Sequence, residues 1–393
     1  MAFVSSYPPR TSGVAAFTDH LARITPDREV VALDPPGERP AYPIEVHHRI
    51  RVDERSEFAR VAQSVSACVD VVALQHDRGL WGVEDGEAVL DFLGGLDVPA
   101  VTTLHDIPND PSPRERAILL AVIQGSAATV AMSDAGRRRL AERFDVAPDV
   151  VDVIHHGAPD LPPTSPEATD DAAERLGVAG LEVILGFGLL GPEKGCELTI
   201  EAMPEILAAR PAACHIVVGA IHPDEIRRRG STLRDELIER AEALGVADRV
   251  RFVDRFVGRS ELTHWLQAAN VIVMPQRSPD RVSSGSLAYA LGAGRPVVAA
   301  PSLIATELLG DGAGVVLAKR SPGALATAII DLLGDPARSR DVGGAAYERG
   351  RTMTWSKIGP MYQALFDRIA APALTAPRRR GSMPPRPYRV RAR

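Results

Sequence analysis

Cysteine is rare in this chain of 393 residues, in which only Cys68, Cys196 and Cys214 occur. Three widely separated thiols indicate buried side chains in a reducing compartment, and not disulfides or a metal cluster. No apolar run reaches the roughly 18 residues of a membrane-spanning helix. The N-terminus also lacks the basic and long apolar regions of a signal peptide. We therefore expect a cytoplasmic protein.

Lysine is rare among the basic residues of this chain. Of the 45 Lys and Arg residues, only Lys194, Lys319 and Lys357 are lysines, so a lysine at a conspicuous position is a candidate for a role of its own. Residues 372–393 hold seven arginines and no acidic residue, which leaves 38 basic against 51 acidic residues in the rest of the chain. This balance excludes a general nucleic-acid binder.

The segment 372–393 is rich in proline and arginine and poor in apolar residues, a composition typical of disordered chain. Polybasic segments bind anionic membrane surfaces, so a weak peripheral association with the inner membrane surface is one hypothesis for this tail. The alternative is a solvated extension. We prefer it because proline dilutes the charge and no amphipathic helix flanks the segment.

Several motifs that define common enzyme classes are missing. The chain has no Walker lysine motif and no dinucleotide glycine fingerprint, which disfavours a P-loop ATPase and a simple dehydrogenase. No histidine pair has helical metal-ligand spacing with a partner acid, and no Ser-His-Asp order can be argued from spacing. We expect no metal site.

Apolar runs of strand length alternate with amphipathic helical patterns, which is typical of an open α/β fold. The alternation occurs twice, and the length exceeds one ordinary core. We predict two Rossmann-like, doubly wound domains that face each other across a cleft. The predicted segments are a first domain at 1–158, a linker at 159–175, a second domain at 176–351, a C-terminal helix at 352–371 that is long enough to cross back, and the tail at 372–393.

A cluster of small residues follows the strand-like run at 271–275. Serines cap helices by accepting from free amides, and a glycine lets a ligand approach the backbone. Because a helix N-terminus attracts anions, we predict a phosphate site here, and the alternative is an ordinary capped helix. Lys194 lies at a second strand-to-helix junction and can reach the same anion, with an exposed loop lysine as the alternative. The cluster consists of Ser283, Ser284, Gly285 and Ser286.

Polar residues also follow strand-like runs of the first domain, at the edge where parallel sheets bind ligands. His105 can hydrogen-bond a hydroxyl or act as acid or base, and the alternative is a structural histidine satisfied by Asp106. Gly13 would let amides approach an anion, with a turn glycine as the alternative. A further group offers the donors, acceptors and aromatic surface of a sugar site, or else a polar loop anchored by its tryptophan. This group is Gln75, His76, Asp77 and Trp81.

Together these motifs resemble those of the retaining glycosyltransferases of family 4, which have the GT-B fold, over residues 1–370. Because single motifs are weak, their shared order along the chain carries the resemblance. The similar segments are Tyr-Pro-Pro-x-x-x-Gly at 7–13, Thr-Leu-His-Asp at 103–106, Gly157 of the interdomain turn, Gly-Pro-Glu-Lys-Gly at 191–195, Gly-Ala-Gly-Arg-Pro-Val-Val at 292–298, and Glu307.

The resemblance implies an enzyme that moves a sugar from a nucleotide-diphosphate sugar to an acceptor hydroxyl with retention, without metal or other cofactor. The second domain would bind the donor, and the first a sugar, glycan or lipid-linked acceptor. His105 would contact the transferred sugar and Lys194 the leaving diphosphate. The implied donor-binding residues are Gly13, Gly188, Lys194, Ser283, Ser284, Gly285, Ser286 and Glu307, and the implied acceptor or sugar contacts are Gln75, His76, Asp77, Trp81 and Asp106.

Three positions depart from the family pattern. Leu189 stands where an arginine is usual, five residues before the lysine, and Arg281 and Tyr289 replace two usual glutamates, the second of which normally holds the nucleotide ribose. These departures keep a non-catalytic nucleotide- or sugar-binding homologue as an alternative. A nucleotide-sugar 2-epimerase is a further alternative, which the missing carboxylates disfavour.

Overall fold

The structure, a computed structural model, describes residues 1–82 and 84–375. The chain divides into two compact units: Met1–His156 together with the C-terminal helix, and Gly157–Thr354. The predicted tail lies outside the described residues from position 376 onwards. No helix of the part that is described is both long and apolar enough to cross a membrane.

The first unit is built on a parallel sheet of seven strands in the order β3-β2-β1-β4-β5-β6-β7. The chain winds outwards from β1 in one direction and from β4 in the other, so the switch point lies between β1 and β4. The strands are β1 Ala2–Ser5, β2 Glu29–Asp34, β3 Val46–Arg51, β4 Val72–His76, β5 Ala100–Leu104, β6 Ala128–Ala131 and β7 Val151–Val153. The helices are α1 Gly13–Arg23, α2 Arg55–Ser66, α3 Val89–Gly94, α4 Pro113–Gly125 and α5 Asp134–Phe144.

The second unit contains a parallel sheet of six strands in the order β10-β9-β8-β11-β12-β13, with its switch point between β8 and β11. The strands are β8 Glu182–Phe187, β9 Ala213–Val218, β10 Val250–Val253, β11 Val271–Met274, β12 Val297–Ala299 and β13 Val315–Val316. The helices are α6 Pro166–Arg175, α7 Cys196–Ala209, α8 Pro223–Arg229, α9 Thr232–Ala243, α10 Arg259–Ala268, α11 Gly285–Gly292, α12 Leu303–Leu309, α13 Pro322–Gly334 and α14 Pro336–Arg351.

The last helix, α15 (Trp355–Thr375), groups with the first unit although the second unit precedes it in the chain. The Tyr362 hydroxyl lies 3.1 Å from Thr103 Oγ1 of β5. The Arg368 guanidinium forms an ion pair of 2.9 Å with Asp152 of β7. The helix covers 372–375, where the sequence indicated the start of the tail.

The central strands of both sheets form because their residues are apolar on both faces. Every residue of β1 and β11 is buried, as expected for parallel strands covered by helices on each side. Serines set many helix starts by accepting a backbone hydrogen bond, which stabilises a helix by about 1 kcal/mol. The helices capped in this way are α1, α4, α5, α6, α11, α12 and α13.

Four local expectations differ from the structure. The predicted linker 159–175 contains α6, which Ser165 caps and Pro166 opens. The edge strand β3 was not expected, because its polar sequence hides the strand pattern and only Ile50 is buried. The sequence from 84 to 96 has a helical pattern, but helix α3 begins only at Val89, after Asp85 adopts a positive φ of 60°. Cys68, expected to be buried, is exposed in the turn after α2.

Candidate active site

The switch point of the second unit brings two loops together at the carboxyl ends of β8 and β11. The two strands pair directly, with Ile184 opposite Val271. The lysine segment follows β8 and the Ser-Ser-Gly segment follows β11. In open parallel sheets this is where ligands bind.

Gly188 and Ser286 are in contact at this edge. Gly188 has a φ of 115°, and a Cβ placed on it would lie 3.3 Å from Ser286 Oγ. Glycine is favoured at position 188 for two reasons. Another residue would be strained at this positive φ, and its side chain would crowd Ser286. Residues that the sequence assigned to one donor site thus do lie together.

Backbone contacts hold the lysine segment against the end of β11. The segment turns through a single 3-10 turn, Pro192–Lys194, and Gly195 follows with a left-handed φ of 69°. A Cβ on Gly195 would collide with the Pro275 carbonyl oxygen. The Arg277 amide donates to the Glu193 carbonyl at 3.0 Å. The position of Lys194 is therefore set by two neighbouring loops.

A carboxylate between two guanidinium groups reinforces this attachment. Glu197 accepts from Arg277 Nε at 3.0 Å and from an Arg320 terminal nitrogen at 2.5 Å. Arg320 Nε also donates to the Pro275 carbonyl at 3.0 Å. The start of α7 is thereby tied to the loop after β11, and Glu197 offsets part of the positive charge of the two arginines.

Lys194 differs from these arginines because it forms no ion pair with any described residue. Burial, and then the positive charge of Arg281, lower its pKa to about 8. The ammonium is therefore still mostly protonated at pH 7. Arg281 Nε donates to the Ser283 carbonyl at 3.1 Å, so its cationic side chain is held by a neutral group. The charge of Glu193 acts on Lys194 in the opposite direction but does not cancel the shift, so the two like charges form a site suited to an anion.

Helix α11 begins beside these cations. Ser284 caps it, since its Oγ accepts from the Leu287 amide at 3.2 Å. The positive end of the helix dipole adds to the attraction for an anion, by about 0.3–1 kcal/mol. Helix α12, which carries Glu307, supports the loop, because the Ile304 amide donates to the Arg281 carbonyl at 2.9 Å. A direct role of Glu307 in donor binding stays a prediction.

In the first unit, the loop after β1 leads into α1 at Gly13. Ser12 caps α1 by accepting from the Ala15 amide at 2.9 Å, and its Oγ lies 3.0 Å from Ser6 Oγ. A Cβ on Gly13 would meet no heavy atom within 4 Å. The first turn of α1 is therefore open to a ligand, but the glycine itself is not required by packing.

His105 lies directly after β5 and beside the last residues of β4. Its Nε2 is 2.7 Å from Gln75 Oε1, and its amide donates to the His76 carbonyl at 2.8 Å. Burial, followed by the neighbouring imidazoles of His156 and His76, lowers the pKa of His105 to about 3. The ring is thus neutral at physiological pH, and it can exchange hydrogen bonds without carrying charge.

An aromatic group that the sequence did not predict surrounds His105 on the side of α1. The Phe17 ring lies 5.0 Å from His105 and 5.1 Å from His156, both edge to face. Trp355 of α15 lies 5.3 Å from Phe17 and stacks on His20 at 4.8 Å. The spacing of apolar residues in the sequence indicated only that these residues belong to amphipathic helices. Their contacts with one another depend on the tertiary fold.

Several predicted sugar contacts have structural roles in this fold. Trp81 is fully buried against Phe58 and Phe92, and its Nε1 donates to the Gln75 carbonyl at 3.1 Å. It therefore offers no surface to a sugar, and that prediction is wrong. Asp77 caps a short turn by accepting from the Gly79 amide at 3.0 Å.

Asp106 and His76 lie near one another behind this turn. Asp106 forms an ion pair of 2.9 Å with Arg78, so its carboxylate already has a partner. Burial lowers the pKa of His76 to about 4, and neither ring nitrogen has a partner among the described residues. The His76 imidazole is thus neutral, and a contact with substrate stays a prediction for both residues.

Two family models match the chain, one to each unit. Residues 11–160 match the model described as Glycosyltransferase Family 4, and residues 182–335 match Glycosyl transferases group 1. The chain belongs to this glycosyltransferase family. The two matches cover the lysine segment, the Ser-Ser-Gly segment and His105.

Curated relatives agree with this family. The chain is 31% identical to D-inositol 3-phosphate glycosyltransferase 2 of Catenulispora acidiphila, over 69% of this chain and 65% of the relative. It is 25% identical to a GDP-mannose-dependent monoacylated alpha-(1-6)-phosphatidylinositol monomannoside mannosyltransferase of Corynebacterium glutamicum, over 87% of this chain and 90% of the relative. The chain spans less than two thirds of the length of the inositol-phosphate relatives it matches, 62–65% for three of them.

Solved structures show the fold. The Anabaena protein Alr3699/HepE in complex with UDP and glucose has a TM-score of 0.75 at 18% identity, over 93% of this chain and 99% of that one. Sucrose-phosphate synthase of Thermosynechococcus elongatus also has a TM-score of 0.75 at 18% identity, over 94% and 99%. With the two parallel sheets, these likenesses confirm the predicted pair of Rossmann-like domains.

Proposed function

We propose that this protein is a retaining glycosyltransferase, which transfers a sugar from a nucleotide-diphosphate sugar to an acceptor hydroxyl. The observation that carries the proposal is the cation pair of Lys194 and Arg281 beside the capped start of α11. Glycosyl transfer from such a donor develops negative charge on the departing diphosphate. Stabilisation of charge where it develops is usually the largest single contribution to lowering the barrier.

In this proposal the second unit holds the donor. Lys194, Arg281 and the first amides of α11 take the diphosphate, while Gly188 allows the donor to approach the backbone beside Ser286. The bond between the anomeric carbon and the phosphate oxygen breaks, and its electron pair leaves with the diphosphate. The acceptor oxygen forms the new bond on the same face and gives up its proton to the departing phosphate.

The first unit supplies His105 and the acceptor side. His105 is neutral, so it serves the transferred sugar as a hydrogen-bond partner for a hydroxyl and not as a counter-charge. The open first turn of α1 at Gly13 offers backbone amides to an anionic group.

We propose that the reaction needs no metal ion, because the ammonium of Lys194 and the guanidinium of Arg281 can offset the charge of the leaving diphosphate. The check is transfer activity after dialysis against EDTA, with and without added Mg²⁺ or Mn²⁺. We expect the rate to change less than about twofold. A loss of activity that Mg²⁺ restores would contradict this part of the proposal.

The names of the relatives suggest where to look for substrates. The Anabaena structures contain UDP, UDP-glucose or UDP and glucose, and the Corynebacterium relative is named for GDP-mannose and a phosphatidylinositol mannoside. We therefore propose a UDP- or GDP-hexose donor and a polyol or glycan acceptor, free or lipid-linked.

The test is a panel of UDP-, GDP- and ADP-sugars, each assayed for nucleoside diphosphate release with and without candidate acceptors. We expect release that depends on acceptor and a product that keeps the anomeric configuration of the donor. If no sugar nucleotide releases nucleoside diphosphate but nucleotide shifts the melting temperature, the protein is a non-catalytic binding homologue. Leu189, Arg281 and Tyr289 favour this alternative. Conversion of the sugar nucleotide without acceptor would instead indicate an epimerase.

A further inference from the structure

Two paired strands bring an amide side chain onto the imidazole of His105. In the register of β4 and β5, Gln75 lies opposite Thr103 and His76 opposite Leu104. The hydrogen bond from the His105 amide to the His76 carbonyl continues this ladder by one step. The side chain of Gln75 is thereby carried to 2.7 Å from His105 Nε2, on a rigid strand and not on a loop.

The pairing is specific to these two groups. Gln75 is 1% exposed, and its Nε2 has no acceptor among residues 1–82 and 84–375. The amide therefore makes one side-chain hydrogen bond, and that bond goes to His105. A residue present only to stabilise the core would be expected to satisfy both of its polar atoms.

We infer that Gln75 is a positioning residue, whose Oε1 accepts the Nε2 proton of His105 and thereby fixes the tautomer with the lone pair on Nδ1. In the proposed glycosyl transfer, on which this inference rests for its kinetic consequences, the fixed tautomer and ring orientation set the hydrogen bond that His105 offers to the transferred sugar. This replaces the expectation that Gln75 itself contacts the sugar.

Other groups also face the ring. Phe17 of α1 contributes only an edge-to-face contact. The titratable groups whose charges act on His105 are the imidazoles of His156 and His76, and both would oppose a positive charge on the ring. An amide acceptor keeps the ring neutral, whereas a carboxylate in its place would favour the imidazolium.

The test uses the full chain and three variants. Gln75→Leu removes the acceptor by replacing the amide side chain with an apolar one of similar size. Gln75→Glu keeps an acceptor oxygen but adds charge. Thr129→Val is the matched control, since Thr129 is a fully buried residue of β6 with an unpaired hydroxyl in the same sheet. Each variant is examined by ¹⁵N NMR of histidine-labelled protein, by thermal melting and by steady-state kinetics.

The first readout needs no substrate. We expect the wild-type ring signal that disappears in His105→Asn to show a protonated Nε2 and an unprotonated Nδ1. Gln75→Leu should give a mixture of tautomers, and Gln75→Glu should raise the pKa of His105. A proton on Nδ1 in the wild type, or an unchanged tautomer in Gln75→Leu, overturns the inference. Because this readout is independent of turnover, it stands even if every sugar nucleotide fails and the proposed function is wrong.

The second readout separates positioning from stability. Gln75→Leu also removes the side-chain amide N–H group, a buried donor without a partner, so the melting temperature of this variant should not fall. Its kcat should fall about 10- to 100-fold, as for residues that orient a catalytic group. The donor KM should stay within about twofold. Gln75→Glu should regain kcat as the pH rises through the raised pKa of His105, and Thr129→Val should match the wild type. Full kcat in Gln75→Leu contradicts the inference.

Discussion

The carboxyl ends of the two parallel sheets carry different electrostatics. At the edge after β8 and β11, two cations lie together and Lys194 keeps its proton at neutral pH, with a pKa of about 8. At the edge after β4 and β5, the imidazoles are neutral, and the pKa of His105 is about 3. One edge is suited to a phosphate group and the other to hydroxyls. Under the proposed function, the same fold would serve two kinds of ligand through a few side chains after its strands.

We expect the largest loss of activity from removing the ammonium of Lys194. Lys194→Ala leaves a bound diphosphate without one of its two side-chain cations, a loss of the size seen for buried charged partners, about 3–4 kcal/mol. We expect kcat/KM for the donor to fall about 100- to 1,000-fold. The melting temperature should hold or rise, because the variant loses a half-buried charge that has no carboxylate partner.

The matched control is Lys357→Ala, which removes a lysine of α15 that lies far along the chain from the loops after β8 and β11. It should keep full activity. A Lys194→Ala enzyme that turns over the donor at the wild-type rate would remove the basis for assigning the diphosphate to this edge.

The architecture was predictable because it depends on local patterns. Continuous apolar runs such as β11 and serine caps such as Ser284 are visible in the sequence, and strand-to-helix junctions place Lys194 and Ser283 at one edge of a parallel sheet. The second sheet confirms this, since β8 and β11 are neighbours.

Contacts between distant segments were not predictable in the same way. The pairing of Gln75 with His105 requires the register of β4 and β5, which no pattern in either segment reveals. Trp81 looked like a sugar platform because polar residues flank it, but its ring is enclosed by Phe58 and Phe92. Aromatic residues beside polar ones serve cores and binding sites alike, and only the burial of the ring distinguishes the two.

We expect a smaller effect on donor binding from removing the charge of Arg281. It stands where the family usually has a glutamate, and Leu189 stands where the family usually has an arginine. Because its charge acts on Lys194, Arg281 supplies the second cation from the opposite loop. We expect Arg281→Ala to raise the donor KM about 10- to 30-fold, in line with one charge-assisted hydrogen bond of about 1.5–2 kcal/mol.

Two further variants test whether the charge or the side chain matters. Leu189→Arg added to Arg281→Ala should restore part of the affinity, because it returns the cation to the usual position. Arg228→Ala, on the exposed face of α8, should have no effect. An unchanged KM in Arg281→Ala would mean that Lys194 and α11 hold the diphosphate alone.

The smallest expected effect is a shift in a pH profile, and it tests the coupling of the two cations directly. An anionic donor favours protonated Lys194, and kcat/KM reports the ionisation of the free enzyme. At constant ionic strength, kcat/KM for the donor should therefore fall as the pH rises through about 8, the pKa set by burial and by Arg281. Removing the Arg281 charge withdraws a repulsion from the protonated amine, so the midpoint in Arg281→Ala should move to higher pH. A midpoint that stays in place would show that burial alone lowers the pKa of Lys194, and that the two cations act on the diphosphate independently.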